Sequence, residues 1–566
     1  MAKWKHLWKT LFLPSALLLS SPTQLVYGNE SKRSQLEQSD LDSTLVDWVF
    51  EAENFGAFNS RLKAAQAIQK CEKNKEKTLV LRFLSIESLP QEIADLYWLE
   101  ELELVGNRFR EIPNEIFKLT NLKKLILDYN QIETISPEVQ HLKNLETISF
   151  VGNKLSSLPK ELQDLSRLKK LDLGHNAFSA IDENIWKLAP IQSLQLNNNQ
   201  IKIYPKEMRR LKRLLELNLS YNPFQNLDVD FVTVRKLVSL KLNGCHLEAV
   251  PSWIQELPNL VILQMNQNNL TTVPRFLFEL SNLWILTLGE NELSKFPSGI
   301  SKLKNLRTLG LDKNALTEIP KGVYALKFLR HLTLAQNQIQ QIHEDVERLS
   351  SLVALDLSSN LLENIPSTFN RLRTLTHLTL ENNLFTSIPK PLLSLSGLQF
   401  LSLAKNQISE LPENLKKLSR LETLNLASNN LTMLPDSIQF LTNLKALYLD
   451  NNQIRSISNH LLSLYGLQLV SVENNPLNEI SSEIAGLLAR FNPMESITDR
   501  VEEMEELESE PKGETAPTPP PEEASVQAEG TRDAESNSLE ESTAAPDFIF
   551  EPGPAPEPES TAVSEA

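Results

Sequence analysis

Apolar and polar positions recur along most of this chain with a fixed period of 23 residues. The segment LVSLKLNGCHLEAVP at 237–251 is followed by LVILQMNQNNLTTVP at 260–274 and LWILTLGENELSKFP at 283–297. Within each copy, L-x-x-L-x-L alternates with period two, which predicts a short strand with one buried face. Because such a strand cannot bury that face alone, we expect the copies to stack as one parallel sheet.

A polar residue closes each predicted strand. From 107 to 475 there are 17 positions at this spacing, of which 16 hold Asn and one holds Cys. An amide there can donate to and accept from the backbone of adjacent turns, so we interpret the series as a structural ladder. Its members are Asn107, Asn130, Asn153, Asn176, Asn199, Asn222, Cys245, Asn268, Asn291, Asn314, Asn337, Asn360, Asn383, Asn406, Asn429, Asn452 and Asn475. A degenerate first copy with Leu84 in this slot brings the predicted number of repeats to 18.

The cysteine at the eighth slot stands beside a histidine, His246, which raises the question of a nucleophile with its base or half of a metal site. A thiol is small, tolerates burial and donates weakly, so it can replace an asparagine in a packed turn. We therefore interpret Cys245 as a ladder residue.

These motifs resemble the leucine-rich repeat family over roughly residues 76–480, whose pattern L-x-x-L-x-L-x-x-N/C-x-L has a period of roughly 20–29 residues. An apolar residue followed by proline six places after the Asn, as in Ile112-Pro113, is similar to the 23-residue subclass. That subclass occurs in Ras-binding scaffolds, plant disease-resistance receptors and bacterial surface proteins. The resemblance implies an α/β repeat solenoid, a horseshoe with a parallel β-sheet on its concave face.

The proline slot predicts the structure of the opposite side of each repeat. Proline fills it in 12 of the 18 repeats, and the exceptions are Ser136, Asp182, Asp228, His343, Ser458 and Ser481. Proline or a small capping residue favours the start of a short helical or 3₁₀ turn. We expect that turn on the convex side.

The N-terminus carries the features of an export signal. Lysines precede an apolar run from Leu11 to Leu19, too short to span a bilayer, and Gly28 supplies a small residue for cleavage. We predict a signal peptide at 1–28, a helical cap at 29–75, the repeats at 76–480 and a second cap at 481–500. The mature chain would then carry no transmembrane segment.

The formal charge of −16 is concentrated near the C-terminus. Residues 501–566 hold 19 Asp/Glu and 2 Lys/Arg, which is −17, and this leaves residues 1–500 at +1. A near-neutral repeat domain lacks the basic stripe that nucleic-acid binding requires. The acidic, proline-rich segment 501–566 is predicted to be disordered. Within it, PDFIFEP at 546–552 is either a docking motif or a chance apolar cluster.

The two cysteines of the chain, Cys71 and Cys245, cannot pair in the predicted fold. Strands about 4.8 Å apart would separate them by roughly 30 Å, whereas the Cα atoms of a disulfide lie within about 7 Å. The Cys-rich caps usual in extracellular animal members of the family are absent. These features favour a protein exported from a bacterium.

Catalytic motifs are missing. The chain contains no P-loop, no H-E-x-x-H and no G-x-S-x-G. No cysteine follows 245, which excludes the ubiquitin-ligase chemistry that some bacterial effectors join to such repeats. His331 and His377 share a column, but Ala354 lies between them across a span of about 10 Å, which disfavours a metal site. We expect neither an enzyme nor a cofactor.

Binding residues are expected at the third, fifth and seventh positions of L-x-x-L-x-L-x-x-N, which form columns on the sheet. Most are small and polar, and apolar side chains interrupt them in repeats nine and ten. Trp284 there is either an anchor for a partner or local packing. The candidate set is Val261, Ile262, Gln264, Trp284, Ile285, Thr287, Thr308, His331, His377, Phe400 and Tyr448.

These expectations combine into an exported, monomeric recognition protein that binds a protein partner on its concave face. Two alternatives remain open. One is a structural protein of the envelope that holds cell-wall or outer-membrane material. The other is a cytoplasmic scaffold of the Ras-binding type, which requires that the N-terminal segment is not a working signal.

Overall fold

The computed structural model describes residues 41–52, 55–203, 210–224, 234–478 and 480–491. The predicted signal peptide, the acidic segment 501–566 and its PDFIFEP motif lie outside the described residues. So do 29–40 of the predicted N-terminal cap and 492–500 of the predicted C-terminal cap.

Strands of three residues, 18 in the described part of the chain, form one parallel sheet. They are β1 Thr78–Val80, β2 Glu101–Glu103, β3 Lys124–Ile126, β4 Thr147–Ser149, β5 Lys170–Asp172, β6 Ser193–Gln195, β7 Glu216–Asn218, β8 Ser239–Lys241, β9 Ile262–Gln264, β10 Ile285–Thr287, β11 Thr308–Gly310, β12 His331–Thr333, β13 Ala354–Asp356, β14 His377–Thr379, β15 Phe400–Ser402, β16 Thr423–Asn425, β17 Ala446–Tyr448 and β18 Leu469–Ser471. Each strand pairs with the next in chain order, so that Leu286 lies between Leu263 and Leu309. The predicted solenoid is confirmed.

The central residue of each strand points into a continuous apolar core. Leu286 is fully buried there, together with Leu283 before the strand and Leu288 after it. Because each such side chain stabilises the fold by roughly 1.5–3 kcal/mol on burial, and because neighbouring repeats supply the cover, each repeat depends on its neighbours. The buried cluster runs from Leu45 to Leu488.

Short 3₁₀ helices return the chain to the next strand. They are Gln91–Asp95, Asn114–Lys118, Pro137–His141, Lys160–Asp164, Glu183–Lys187, Ser252–Glu256, Arg275–Glu279, Ser298–Lys302, Lys321–Ala325, Glu344–Arg348, Ser367–Arg371, Lys390–Ser394, Leu415–Leu418, Asp436–Phe440 and Asn459–Ser463. Most begin directly after the proline slot; Pro274, for example, precedes its helix with φ −73° and ψ 152°.

At four described slots that lack proline, a side chain caps the 3₁₀ helix instead. Asp182 accepts a hydrogen bond from the backbone N–H of Asn184 at 2.8 Å. Ser136, His343 and Ser458 accept equivalent bonds. Both solutions start the helix, either by removing an unneeded N–H donor or by satisfying one.

α-Helices lie at both ends of the described sheet. Helix α1 spans Ser43–Phe50 and α2 spans Phe55–Asn74, both before β1, and α3 spans Ser482–Phe491 after β18. Helix α2 contacts β1, and α3 contacts β18. The backbone groups of these two end strands have no further strand to pair with, so a covering helix protects the edges.

Candidate functional site

The ladder asparagines tie each turn to the two beside it. The Nδ2 of Asn130 donates to Leu104 O and to Leu127 O at 2.9 Å each, and its Oδ1 accepts from Phe109 N at 3.1 Å. The contact to the carbonyl 26 residues upstream recurs at every other Asn of the ladder. These residues hold the sheet in register, and all but the half-buried Asn314 and Asn475 are buried.

Cys245 occupies its ladder slot with different contacts. Its Sγ lies 3.3 Å from Leu219 O, and its backbone N–H donates to Oδ1 of Asn268 at 2.9 Å. A thiol accepts hydrogen bonds poorly, and the N–H of Phe224 donates to Asn222 O at 2.9 Å instead of to the ladder side chain. Burial raises the pKa of the Cys245 thiol to about 12. The group is therefore protonated at neutral pH, and its thiolate is not available for chemistry.

The exposed side of the sheet carries three columns of side chains, which we call the binding face. The first column consists of the first residue of each strand. The second column consists of the last residue of each strand, and the third column consists of the residue two positions after the strand ends. In the repeat of β10 these are Ile285, Thr287 and Gly289. The residue directly before each strand, here Trp284, belongs to a flanking row beside the face.

Charges in the flanking row of the first repeats neutralise one another. The carboxylate of Glu100 lies 2.6 Å from Nζ of Lys77 and 2.7 Å from Nζ of Lys123. Hydrogen bonds from Lys123 and Lys77 hold the pKa of Glu100 at about 2. The next two repeats repeat the arrangement, with Lys169 2.8 Å from Glu146. Each pair joins equivalent positions of adjacent repeats.

Ion pairs between adjacent repeats also occur on the binding face itself. Glu103 accepts hydrogen bonds from Lys124 at 2.9 Å and from Arg82. These contacts lower the pKa of Glu103, although its partial burial opposes the shift. At this end of the face, these charged side chains are already paired with one another within the chain.

Two half-buried aspartates of the early repeats, Asp128 and Asp172, have no cation beside them among the described residues. Burial raises the pKa of Asp172 to about 6; the hydrogen bond from Gly174 N at 3.0 Å opposes the shift, and the charge of Asp128 adds to it. Asp128 accepts from Ser149 Oγ at 2.5 Å and from Val151 N at 2.9 Å. Asp172 thus accepts from a backbone donor, and Asp128 accepts from a backbone and a side-chain donor, which stacking would otherwise leave unsatisfied.

The first column changes character at β8. In β1–β7 it contains Glu101, Lys124, Lys170 and Glu216. From β8 to β18 it contains no Asp, Glu, Lys or Arg. The residues there are Ser239, Ile262, Ile285, Thr308, His331, Ala354, His377, Phe400, Thr423, Ala446 and Leu469. We call the binding face over β1–β7 the charged half. We call the face over β8–β18 the neutral half after its first column, although its second and third columns hold Lys241, Asp312, Asp356, Glu381, Asp450 and Glu473.

The structure brings most of the predicted binding residues together in the neutral half. Ile262, Ile285, Thr308 and His331 lie side by side in register, and Gln264 neighbours Thr287 in the second column. Residue Tyr448 lies in the second column as well, opposite Asn425, and therefore not in line with Phe400. All of these side chains are half-buried.

The two histidines of the first column are held apart. Ala354 pairs with both His331 and His377, so one strand separates them. Burial lowers the pKa of each. The ring of His377 stacks on Phe400 with centroids 6.1 Å apart and an angle of 19°. Among the described residues, no three His, Cys, Asp or Glu side chains are arranged to hold a metal ion.

Trp284 and Val261 lie in the flanking row and not in a column. The guanidinium carbon of Arg307 lies 4.0 Å from the centroid of the indole ring. A cation over an aromatic face is a favourable contact of about 0.5–1 kcal/mol at exposed sites. The half-buried indole therefore already has one partner within the chain, at the margin of the face.

Ser402 was not among the predicted residues. It is 1% exposed, and its Oγ has no hydrogen-bond partner within the described residues. The equivalent Ser149 donates to Asp128, 21 residues upstream, whereas the residue 21 places before Ser402 is Glu381, which pairs with Lys405 at 3.2 Å. The sequence places an acidic residue 21 positions before Ser402, as it does before Ser149. It does not show whether that carboxylate contacts the serine.

Comparisons with known proteins agree with this geometry. A family model described as a leucine-rich repeat region matches residues 70–266 and 389–505, and one described as leucine rich repeat matches 258–316 and 304–362. The chain belongs to the leucine-rich repeat family. Proteins of this fold are typically protein–protein interaction modules and generally serve as binding scaffolds. No curated protein matches the chain.

Solved structures show the same architecture. A leucine-rich repeat protein of Leptospira interrogans is 32% identical, with a TM-score of 0.57 over 72% of this chain and 97% of that one. The Drosophila Toll–Spatzle complex contains a chain that is 26% identical, with a TM-score of 0.54 over 69% of this chain and 56% of that one. Each helix in the described part of the present chain is too short or too polar to cross a membrane.

Proposed function

We propose that this protein is a non-enzymatic recognition protein that binds a protein partner through the neutral half of its binding face. The observation that carries the proposal is the first column of that half, where eleven consecutive repeats present no formal charge. The cores of protein interfaces are depleted in charged residues and enriched in aromatic ones. The stacked rings of His377 and Phe400 lie within this column.

Large aromatic side chains support the same surface. Phe400 and Tyr448 are both half-buried on the exposed side of the sheet. Ser402 lies two residues after Phe400 on the same strand, and its Oγ has no hydrogen-bond partner within the described residues. Because Ser402 is only 1% exposed, a bound protein would contact the aromatic side chains and not this hydroxyl, and such large side chains are the usual anchors of protein interfaces.

The similar Drosophila structure is that of a complex between Toll and Spatzle. It provides a precedent for a repeat domain of this architecture in contact with another protein. The residues of the columns vary from repeat to repeat, whereas the core positions stay apolar. We therefore expect the columns of the neutral half to determine which protein this chain binds.

A pair of aromatic variants tests the proposal. The full chain is used as bait on cell lysates, and the affinity of each captured protein is measured for the wild type, Phe400→Ala and Tyr465→Ala. Phe400→Ala should weaken a specific partner by about 2 kcal/mol, as a hot-spot residue does. Tyr465 is 95% exposed in the turn before β18 and is not on the face, so Tyr465→Ala should change nothing. Equal affinities for both variants would contradict the proposal.

A further variant addresses the margin of the face. Trp284→Ala should weaken the same partner by roughly 2 kcal/mol if the indole is an anchor. Because Arg307 covers one face of the ring, Arg307→Ala serves as the companion change. If Trp284→Ala lowers the melting temperature and leaves affinity unchanged, the indole is local packing and the contact surface begins at Ile285.

Export from a bacterium belongs to the same proposal. The first 28 residues would be removed, and the caps at 29–75 and 481–500 would flank the repeats. N-terminal sequencing of the protein from its native source should begin at or near Asn29. Recovery of chains that retain Met1 in the cytosol would favour the Ras-binding type of scaffold instead.

A further inference from the structure

The residue directly before each ladder position forms a row along one margin of the sheet, which we call the rim. Rim residues adopt positive φ in every repeat, because the chain turns sharply as it leaves the strand. Three of them are aromatic, namely Phe83 at φ 57°, Tyr129 at φ 54° and Tyr221 at φ 58°. Because every repeat shares this backbone conformation, it belongs to the fold, and only the aromatic side chains distinguish these three positions.

Each aromatic rim residue is followed, one repeat later, by a rim glycine. Phe83 precedes Gly106, Tyr129 precedes Gly152, and Tyr221 precedes Gly244. These are the three aromatic residues and the three glycines of the rim, so they occur as pairs and in no other combination.

The pairs are in direct contact. A Cβ atom on the glycine would lie 2.3 Å from Cδ1 of Phe83, 2.7 Å from Cδ1 of Tyr129 and 2.4 Å from Cδ1 of Tyr221. In this arrangement a side chain at the glycine position would displace the ring. The glycine backbone therefore packs against one side of each ring.

The supported rings remain open to solvent. Phe83 is 73% exposed, Tyr129 is 59% exposed and Tyr221 is 44% exposed. Rings that served only to stabilise the fold would be buried, since stabilisation scales with the apolar area removed from water. The rim therefore presents pre-positioned aromatic surfaces that the core does not use.

The spacing of the rings and the charge of the rim restrict the class of ligand that can bind to these rings. Phe83 and Tyr129 are two strands apart and Tyr129 and Tyr221 are four, which gives separations of roughly 10 and 20 Å. No rim residue from 83 to 267 carries a formal charge. Between the two tyrosines, His175 and Asn198 supply hydrogen-bonding groups.

We infer that the rim of β1–β8 binds a neutral polysaccharide chain, with pyranose rings stacked on Phe83, Tyr129 and Tyr221. The C–H groups of one pyranose face are apolar and slightly positive, and they match the negative face of an aromatic ring. Sugar hydroxyls would bond to His175 and Asn198. A linear polymer can reach all three rings at once, because its units repeat along a line as the rim residues do. This site is separate from the proposed protein-binding half of the face.

Neutral hexasaccharides of β-1,4-glucose, β-1,4-N-acetylglucosamine and β-1,3-glucose serve as probes, with a heparin hexasaccharide as the charged comparison. Binding to the full chain is measured by calorimetry. At least one neutral probe should bind. Tyr129→Ala should weaken that probe about tenfold, as expected when one stacked ring is removed, and Tyr129→Phe should keep the affinity, because stacking does not require the hydroxyl.

Two variants separate this site from other surfaces. Tyr465→Ala removes an exposed tyrosine away from the rim, and Phe400→Ala changes the neutral half of the face; neither should alter oligosaccharide binding. Melting temperatures establish that all variants fold. Gly152→Ala keeps the tyrosine but displaces its ring, and should weaken the probe as well. Failure of every neutral probe to bind, binding of heparin alone, or equal loss in Tyr465→Ala would overturn the inference.

Discussion

The charged and neutral halves of the binding face are built on the same framework and present different chemistry. In both, the ladder asparagine contacts the carbonyl 26 residues upstream at nearly equal distance, 2.9 Å for Asn130 and 2.9 Å for Asn383. In the charged half, carboxylates such as Glu103 are paired with cations of adjacent repeats. In the neutral half, the first column has no charges to pair, and the buried hydroxyl of Ser402 has no partner within the described residues.

This difference separates two tasks that each repeat performs. Buried positions must stay apolar and the ladder position must suit a packed turn, because each repeat packs only against its neighbours. Exposed positions carry no such requirement. Where the side chains of the columns pair with one another, that part of the face is less suited to a protein partner; where they do not, it remains available.

Removal of a ladder amide should produce the largest effect, and an equal one in both halves. Asn130→Leu and Asn383→Leu each leave backbone donors and acceptors buried without partners, at about 1–3 kcal/mol per group. We expect each to cost about 3 kcal/mol or more, measured by chemical denaturation. A much smaller loss for Asn383→Leu would mean that the framework of the neutral half is not the same.

A medium effect is expected from a half-buried carboxylate of the charged half, Asp172. The folded pKa of Asp172, about 6, exceeds the ordinary 3.8, so the native state holds the proton more tightly than the unfolded chain. Stability from this group is present below pH 4 and is lost as pH rises through 6. Asp172→Asn should therefore be more stable than wild type by up to about 3 kcal/mol at pH 8.

The neutral substitution has natural counterparts at the same position of other repeats. Oδ1 of Asn218 accepts from Ser220 N at 3.1 Å, and Asn425 accepts from Ala427 N at 3.0 Å, as Asp172 does from Gly174. Thermal unfolding of both proteins from pH 3 to 8 checks the prediction. The two stability curves should converge near pH 4; parallel curves would show that the carboxylate is not destabilised by its site.

The smallest effect should come from an exposed charge pair. Glu100→Gln should lower the melting temperature by at most about 2 °C, since surface ion pairs contribute little. The difference should vanish at 1 M salt, where the screening length falls to about 3 Å. Because the pKa of Glu100 is about 2, its contribution is present above the ordinary pKa of 4.5 and is lost only as pH falls through 2. A loss already complete at pH 4 would show that the pairs with Lys77 and Lys123 do not form in solution.

Much of the fold follows from local rules that can be applied to the chain alone. A 23-residue period, apolar alternation and an Asn at each strand end are sufficient for a parallel sheet of 18 strands, because every repeat meets the same neighbours at the same offset. The helix starts follow as well, since a proline or a side-chain acceptor such as Asp182 acts within its own turn. The columns of the binding face are equally local, because successive strand residues alternate sides.

Side-chain contacts between adjacent repeats could not be predicted from these local rules. Arg307 over Trp284, His377 against Phe400, and Tyr129 on Gly152 each join residues 23 places apart. The register shows that such residues are neighbours, but not whether their side chains lean toward each other or toward a third group. Glu381 forms an ion pair with Lys405 and no hydrogen bond with Ser402, whereas Asp128 accepts a hydrogen bond from the equivalent Ser149. Repeat periodicity specifies the backbone, whereas competition among several side chains for each donor and cation is settled only in three dimensions.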